Sequence, residues 1–342
     1  MNVRKGILLF LLIGAGVCAA AHPFVLCMYG VNEPAYVKTL KKAGFTCLQT
    51  YQQDPQKLAA LAASAQQNAM KVVFAPDQII GSAYEKEARD WPVQAWYLVD
   101  EPDVWKWSRD RVIAKREQTR AAFPKHSTAL VIGQGKTAVA YYDLPDQLLM
   151  DWYPVPHLPL TSFGDNVRWA KEGQQALGAG ERALWGVVQI FDWKEFKQHR
   201  PDHDRIGRFP TQEEIRFMSY DGLVNGADGL FYFVFTTHQQ PLPTARPEWW
   251  ARVTAVSKEL ARLRPVLEKG TQIPLPSPVP APLAARAWAY KGYEYILLVN
   301  RSERETALPQ VFAGKEYRPL AGTVKTTLLP PYGAWVLKKK VR

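Results

Sequence analysis

Eight short apolar runs, separated by amphipathic or turn-rich stretches, constrain the fold of this chain more than any other feature. They are FVLCMYGV from Phe24, FTCLQTY from Phe45, KVVFAP from Lys71, VQAWYLVDEP from Val93, TALVIGQG from Thr128, QLLMDWYPVP from Gln147, RALWGVVQIF from Arg182 and GLFYFVF from Gly229. Near-continuous apolar runs of this length suit strands buried on both faces. Helical stretches fall between most of them. Asn32-Glu33-Pro34 reads as the cap and first turn of a helix ending near Gly44. Further helices are read at Leu58 to Met70, Ser108 to Phe123, Phe163 to Leu177, from the Thr211-x-x-Glu214 capping box to Val224, and from Glu248 to Leu267. The connections after the third and fifth runs are short. Eight strands alternating with helices predict an α/β fold, a (β/α)8 TIM barrel. A doubly wound sheet would use fewer strands and a Gly-rich phosphate turn, but Tyr29-Gly30-Val31-Asn32 follows the first run. No P-loop, HExxH or GxSxG pattern occurs.

The ends of the chain have different textures. Arg4 and Lys5, an apolar Ile7–Val17 segment and Ala19-Ala20-Ala21 read as an export signal over residues 1–21. A lipoprotein anchored through Cys18 is the weaker alternative, because Val17 is bulky where a small residue is wanted. The barrel is expected over 22–270 and a Pro-rich linker over 271–282. A small antiparallel β-sandwich is expected over 283–342, carried by RAWAYKGYEYILLVNRS and TVKTTLLPPYGAWVLKKK. So small a domain is marginal alone and is expected to dock on the barrel. Export implies a periplasmic or extracellular protein with no membrane span after signal removal. Of 3 cysteines, Cys27 and Cys47 then remain. Either they pair or they are two buried small hydrophobes, and both readings stay open.

The formal charge is +11, with 12 Trp, 15 Tyr and 14 Phe. The charge suggests polyanions, and the aromatics suggest flat sugar faces or bases. The Lys and Arg residues are dispersed, with no nucleic-acid motif, so nucleic acid is not the expected partner. In a barrel the chemistry sits at the C-terminal strand ends. There the chain places Tyr29, Gln49, Tyr51, Asp77, Gln78, Asp100, Glu101, Gln134, Asp151, Tyr153, Gln189, Asp192, Tyr232 and Phe235. Acids, amides and aromatics with no basic cluster suit a polyhydroxylated substrate, gripped through hydroxyl pairs and pyranose faces. Trp105, Trp107, Trp193, Trp249 and Trp250 are candidate platforms, with at least one of the last two expected in the core. Asp100 and Glu101, adjacent and followed by Pro102, form the sharpest feature. Neighbouring like charges raise one pKa, which suits a general acid; the plainer reading is a helix cap or a pair with Arg109. Arg208 and Arg216 are expected in structural salt bridges rather than as an anion clamp. His199, Asp202, His203 and Asp204 resemble a metal cluster in composition only, and neither a metal nor another cofactor is expected.

Asp100-Glu101-Pro102 resembles the Asn-Glu-Pro motif of clan A glycoside hydrolases, with Asp100 in place of Asn. Asp151-Trp152-Tyr153-Pro154, Trp185-Gly186-Val187-Val188-Gln189 and Arg208-Phe209-Pro210-Thr211-x-x-Glu214-x-Arg216 are similar to segments of bacterial glycoside-hydrolase-like barrels. The resemblance covers residues 24 to 268. It implies a (β/α)8 enzyme that cleaves O-glycosidic bonds, with Glu101 as acid/base. It also implies a nucleophilic Glu at the end of strand seven, where this chain has Gln189, and an amide forms no glycosyl ester. The second carboxylate is therefore Asp151, as nucleophile or as base for an inverting water; Asp192; or Asp100, orienting a 2-acetamido group as in hexosaminidase-type barrels. Asp151 is the first choice. Gln49, Tyr51, Gln134 and Gln189 are expected to line the subsite, with Tyr29, Tyr153, Asp192, Trp105 and Tyr232. The expected partner is a carbohydrate; an acidic or N-acetylated polysaccharide fits the basic surface and the Asp-Glu pair. The alternative is a non-catalytic glycan-binding barrel in polysaccharide assembly or export.

Overall fold

A computed structural model describes residues 23–199, 207–237, 240–313, 316–320 and 327–341. The eight runs form parallel strands: β1 (Val25–Met28), β2 (Cys47–Gln49), β3 (Lys71–Phe74), β4 (Val93–Tyr97), β5 (Thr128–Ile132), β6 (Gln147–Asp151), β7 (Ala183–Gln189) and β8 (Gly229–Phe233). They close into a barrel in chain order, with β8 paired to β1 from Val25–Gly229 to Met28–Tyr232. The apolar runs have a double task. Cys27, Val73, Ala95, Val131, Leu149 and Phe231 fill the interior. Leu26, Val72, Trp96, Leu130, Leu148 and Leu230, one step out of phase, meet the helices.

The helices are α1 (Val37–Lys42), α2 (Pro55–Gln67), α3 (Arg109–Ala122), α4 (Ser162–Ala176), α5 (Gln212–Val224) and the long helix Pro247–Lys269. Asp54, Ser108 and Thr211 cap α2, α3 and α5 with their side chains, Thr211 in a capping box with Glu214. The expected Asn32 cap does not form. Its side chain accepts from the Thr50 hydroxyl (2.8 Å) instead. Pro34–Tyr36 is a 3-10 turn, and α1 starts only at Val37. After β3 and β5 there are 3-10 turns in place of helices, at Pro76–Gln78, Glu87–Asp90 and Val139–Tyr141. Pro76, Gly81 and Pro92 in the first connection, and Gly133, Gly135 and Pro145 in the second, leave only short uninterrupted stretches.

Beyond the barrel lies a five-stranded antiparallel sheet, in the order Thr271–Ile273, Leu283–Tyr290, Tyr293–Asn300, Ala334–Lys340, Arg318–Pro319. Thr271–Ile273, read above as linker, is thus an edge strand paired with Ala287–Ala289. Alternate residues face opposite ways. Leu297, Val299 and Val336 join the core shared with the barrel helices. Ile296, Leu298 and Leu337 pack with Phe312, Tyr317 and Leu329. The outer layer of the expected sandwich is small, a ladder of Thr306–Ala307 with Leu328–Leu329 and one helical turn at Gln310–Ala313.

Two arginines dock this sheet. Arg286 donates to the Leu223 and Ala227 carbonyls (3.1 and 3.2 Å) at the end of α5. Arg301 pairs with Asp165 of α4 (3.0 Å) and Asp221 of α5 (2.9 Å). Asp221 is fully buried, and desolvation lifts its carboxyl to about 7 against the pull of Arg301. Removing one partner of a buried pair costs about 3–5 kcal/mol. Arg301→Ala is expected to lose that much in urea denaturation near pH 8; an unchanged midpoint contradicts the role given to this contact.

Cys27 and Cys47 are cross-strand neighbours in the barrel interior, both buried and both free thiols. Burial pushes the Cys27 thiol well above its usual value. Among the described residues no helix is long and apolar enough to cross a membrane. None of their His, Cys, Asp and Glu residues form a group of three or more that could hold a metal. The export signal, Cys18 and residues 202–204 of the His/Asp cluster lie outside the described residues.

Candidate active site

The carboxylates meet at the C-terminal mouth of the barrel. Beyond β4 the chain runs through Leu98 and Val99 to Asp100 and Glu101. Tyr97 points into the barrel and donates its hydroxyl to Asp100 Oδ1 (2.6 Å). The Glu101 amide donates to the Val131 carbonyl of β5 (3.1 Å). The Val104 and Trp105 amides donate back to the Glu101 carbonyl (3.0 Å each), closing the turn that Pro102 begins. Glu101 has φ +44°, in the left-handed region. Residues other than Gly are uncommon there, and such strain clusters at functional sites. Arg109 pairs with Asp143 (2.7 Å), not with the Asp-Glu dipeptide.

Asp151 is the last residue of β6, in inward phase and 9% exposed. Its Oδ2 accepts from the Tyr153 hydroxyl (3.3 Å). Its buried Oδ1 meets no amide or hydroxyl donor. The Glu101 carboxyl lies within hydrogen-bonding reach of the Asp151 carboxyl. Two carboxyls can form such a bond only by sharing a proton. Burial, then the charges of Glu101 and Asp100, raises the Asp151 carboxyl well above the usual range. Burial also raises Asp100, less strongly.

Aromatic rings wall this centre. Tyr29 stacks on Tyr51 (6.2 Å between centroids) and meets Tyr97 and Phe233 edge-on. Tyr153 stacks on Phe233 (5.4 Å). Tyr51, stacked on Tyr29, is 46% exposed and Trp105 is 65% exposed, both on mouth loops. Gln134 is also exposed on its loop, its Oε1 accepting from the Thr137 hydroxyl.

Several expected site residues do other work. Tyr232 is fully buried and faces the helices, hydrogen-bonded to Ser219 (2.7 Å); its inward neighbours in β8 are Phe231 and Phe233. Gln189 points inward, but its amide is consumed by the backbone: Oε1 accepts from Val155 N, and Nε2 donates to Val155 O (2.8 Å each). Gln49, also buried, binds Gly30 N and Thr50 O. Asp192 caps the turn at Lys194 N (2.9 Å). Trp249 lies between Phe209 and Arg246, Trp250 packs on Phe45 and Phe235, and Trp107 lies beneath the Arg111 guanidinium, so none is an open platform. Trp193 packs on Phe191 and Tyr153. Arg208 and Arg216 are held by Glu214 and Glu259.

Sequence reasoning missed Tyr97 and Phe233 at the mouth, and the hydrogen bond from Gly133 N to Asp103 Oδ1 (3.1 Å) between the loops after β4 and β5. Inward phase along β4 and β8 points to the first two.

Comparison with solved structures bears on the fold. An alpha-amylase from Geobacillus thermoleovorans, complexed with acarbose, superposes with a TM-score of 0.58 at 10% identity, over 94% of this chain and 99% of that one. A GH30 endoxylanase from Clostridium papyrosolvens gives 0.53 at 11% identity, over 93% and 96%. A family 39 glycoside hydrolase from Bacteroides cellulosilyticus gives 0.57 at 12%, over 93% and 81%. The chain has a (β/α)8 glycoside-hydrolase-like fold. No protein-family model and no curated protein sequence matches it. Within this fold, the barrel mouth brings two carboxyls together beside exposed aromatic rings.

Proposed function

We propose that the protein is an exported hydrolase of O-glycosidic bonds in a poly- or oligosaccharide. Glu101 is its general acid/base and Asp151 its second carboxylate. The observation that carries this reading is the Glu101–Asp151 contact at an aromatic-walled barrel mouth. Carboxyls in hydrogen-bond contact leave no room for a water between them. An inverting enzyme needs roughly 6.5–9.5 Å there, and a retaining one roughly 5–5.5 Å. The contact therefore favours double displacement. The shared proton passes to Glu101, which gives it to the glycosidic oxygen as that bond breaks. Asp151 attacks the anomeric carbon and forms a glycosyl ester. Glu101 then takes a proton from water, and the oxygen of that water displaces Asp151. Asp100, held by Tyr97, grips sugar hydroxyls. The leader read in residues 1–21 sets the reaction in the periplasm or outside the cell.

The test is release of reducing ends from neutral, uronic-acid and N-acetylhexosamine polysaccharides. Wild type releases them from at least one class, and Glu101→Gln does not. Undiminished release by Glu101→Gln overturns the assignment. One observation favours a second reading, glycan binding without cleavage: strand seven offers only the backbone-locked Gln189. Calorimetric binding by wild type with no release would select it.

Trp105 is the open platform beside Glu101. An aromatic stack contributes about 0.5–1.5 kcal/mol beyond the area it buries. Trp105→Ala is expected to raise KM for polymer roughly three- to tenfold, with kcat within about twofold. An unchanged KM removes the platform.

A further inference from the structure

The loop after β5 passes close against the Glu101 side chain. A Cβ at Gly133, just past β5, would stand 2.6 Å from Glu101 Oε1, 3.1 Å from its Cδ and 2.8 Å from Val104 Cγ2. Gly133 does not have a positive φ, so its backbone accepts alanine. An added methyl meets the flexible end of Glu101 and a methyl of Val104. Asp103 holds the two loops in register: its Oδ1 accepts from Gly133 N (3.1 Å), and its carboxylate also faces the Gln134 and Val104 amides. The hydrogen bond from the Glu101 amide to the Val131 carbonyl ties this turn to β5 as well.

We propose that Gly133 and Asp103 are positioning residues that set the Glu101 carboxyl against Asp151. This rests on the reading of that pair as the working site. Gly133 supplies the bare surface over which the carboxyl lies, and Asp103 keeps that surface at the right height. Neither touches the sugar.

The test uses two readouts on full-length protein, melting temperature against pH and steady-state kinetics. Around the pair stand Asp100 and Asp103 from the β4 turn, Tyr153 from β6, and Tyr29 and Tyr51 from the first two strand ends. Asp151 has a raised native value, so its burial weakens the fold as pH climbs from about 4 through that value. Asp151→Asn removes this slope and serves as the reference. Gly133→Ala, which parts the pair but leaves Asp151 buried, is expected to remove the share of this slope that Glu101 contributes; Asp103 adds its own charge to the slope, so its variants are compared by kinetics alone. Where wild type turns over a polysaccharide, the two Ala variants lose on the order of 100-fold in kcat, the cost of about 1 Å of misplacement. KM stays within about threefold, and Asp103→Asn stays within about tenfold of wild type. A Gly133→Ala protein with the wild-type slope overturns the proposal, whether or not wild type cleaves glycans. Absence of cleavage with the slope flattened as expected overturns only the hydrolase reading.

Discussion

Asp151→Asn is expected to yield a protein that is more stable than wild type and inactive. Asp151 is buried at the end of β6 near Glu101, with Asp100 close by and the Tyr153 hydroxyl donating to its Oδ2 at 3.3 Å. Holding such a carboxyl costs the fold free energy once it ionises, and an amide of the same shape has no such cost. A gain of about 1–2 kcal/mol at pH 7.5 is expected, the usual size when a functionally strained group is relieved. The sign follows from linkage. A carboxyl raised in the native state destabilises the fold above its unfolded value of about 3.9. The gain should therefore shrink toward zero below about pH 4, where Asp151 is protonated in both states. Asn cannot form the glycosyl ester, so turnover should fall by at least about 10⁴-fold. Urea denaturation at both pH values checks the first part and reducing-end release the second. A destabilised variant, or a gain independent of pH, contradicts the burial argument.

Glu101→Gln has the second large effect, and it should depend on the leaving group. General acid catalysis contributes about 10²–10⁴-fold. For a polysaccharide, whose leaving alcohol needs a proton, that whole factor is lost. An aryl glycoside with an acidic phenol departs without help, so its first step should keep most of its rate while ester hydrolysis slows. A burst of phenol followed by a slow steady state is the expected trace. Equal losses on both substrates would make Glu101 a binding residue. The wild-type pH profile should be bell-shaped, because the pair works with one proton and fails with two or none.

Much of this fold was legible in the sequence, for physical reasons that also explain the errors. Apolar runs with a double burial task announce the eight strands, and interruption by Gly and Pro explains the two missing helices. The place of Asp151 at the barrel mouth was legible because it ends an apolar run in inward phase. Tyr232 was misassigned by position without phase: one residue along β8 decides between barrel mouth and helical layer. Gln49 and Gln189 have the right phase, but the backbone groups that consume their amides belong to Gly30 and Val155, whose approach depends on tertiary structure. The left-handed backbone at Glu101 and its passage over Gly133 were equally hidden, since both depend on how the β4 and β5 loops meet. Thr271–Ile273 was lost among prolines, because an edge strand of three residues carries no periodicity.

The central claim is that Asp151, paired with Glu101, is the nucleophile. Mass spectrometry of Glu101→Gln, quenched while turning over an aryl glycoside of the sugar found in the polysaccharide assay, tests it most directly. The predicted result is one glycosyl unit, lost to hydroxylamine and located on the peptide carrying Asp151. A glycosyl unit on another carboxylate, or an unmodified protein that nonetheless releases product of inverted configuration, would contradict it.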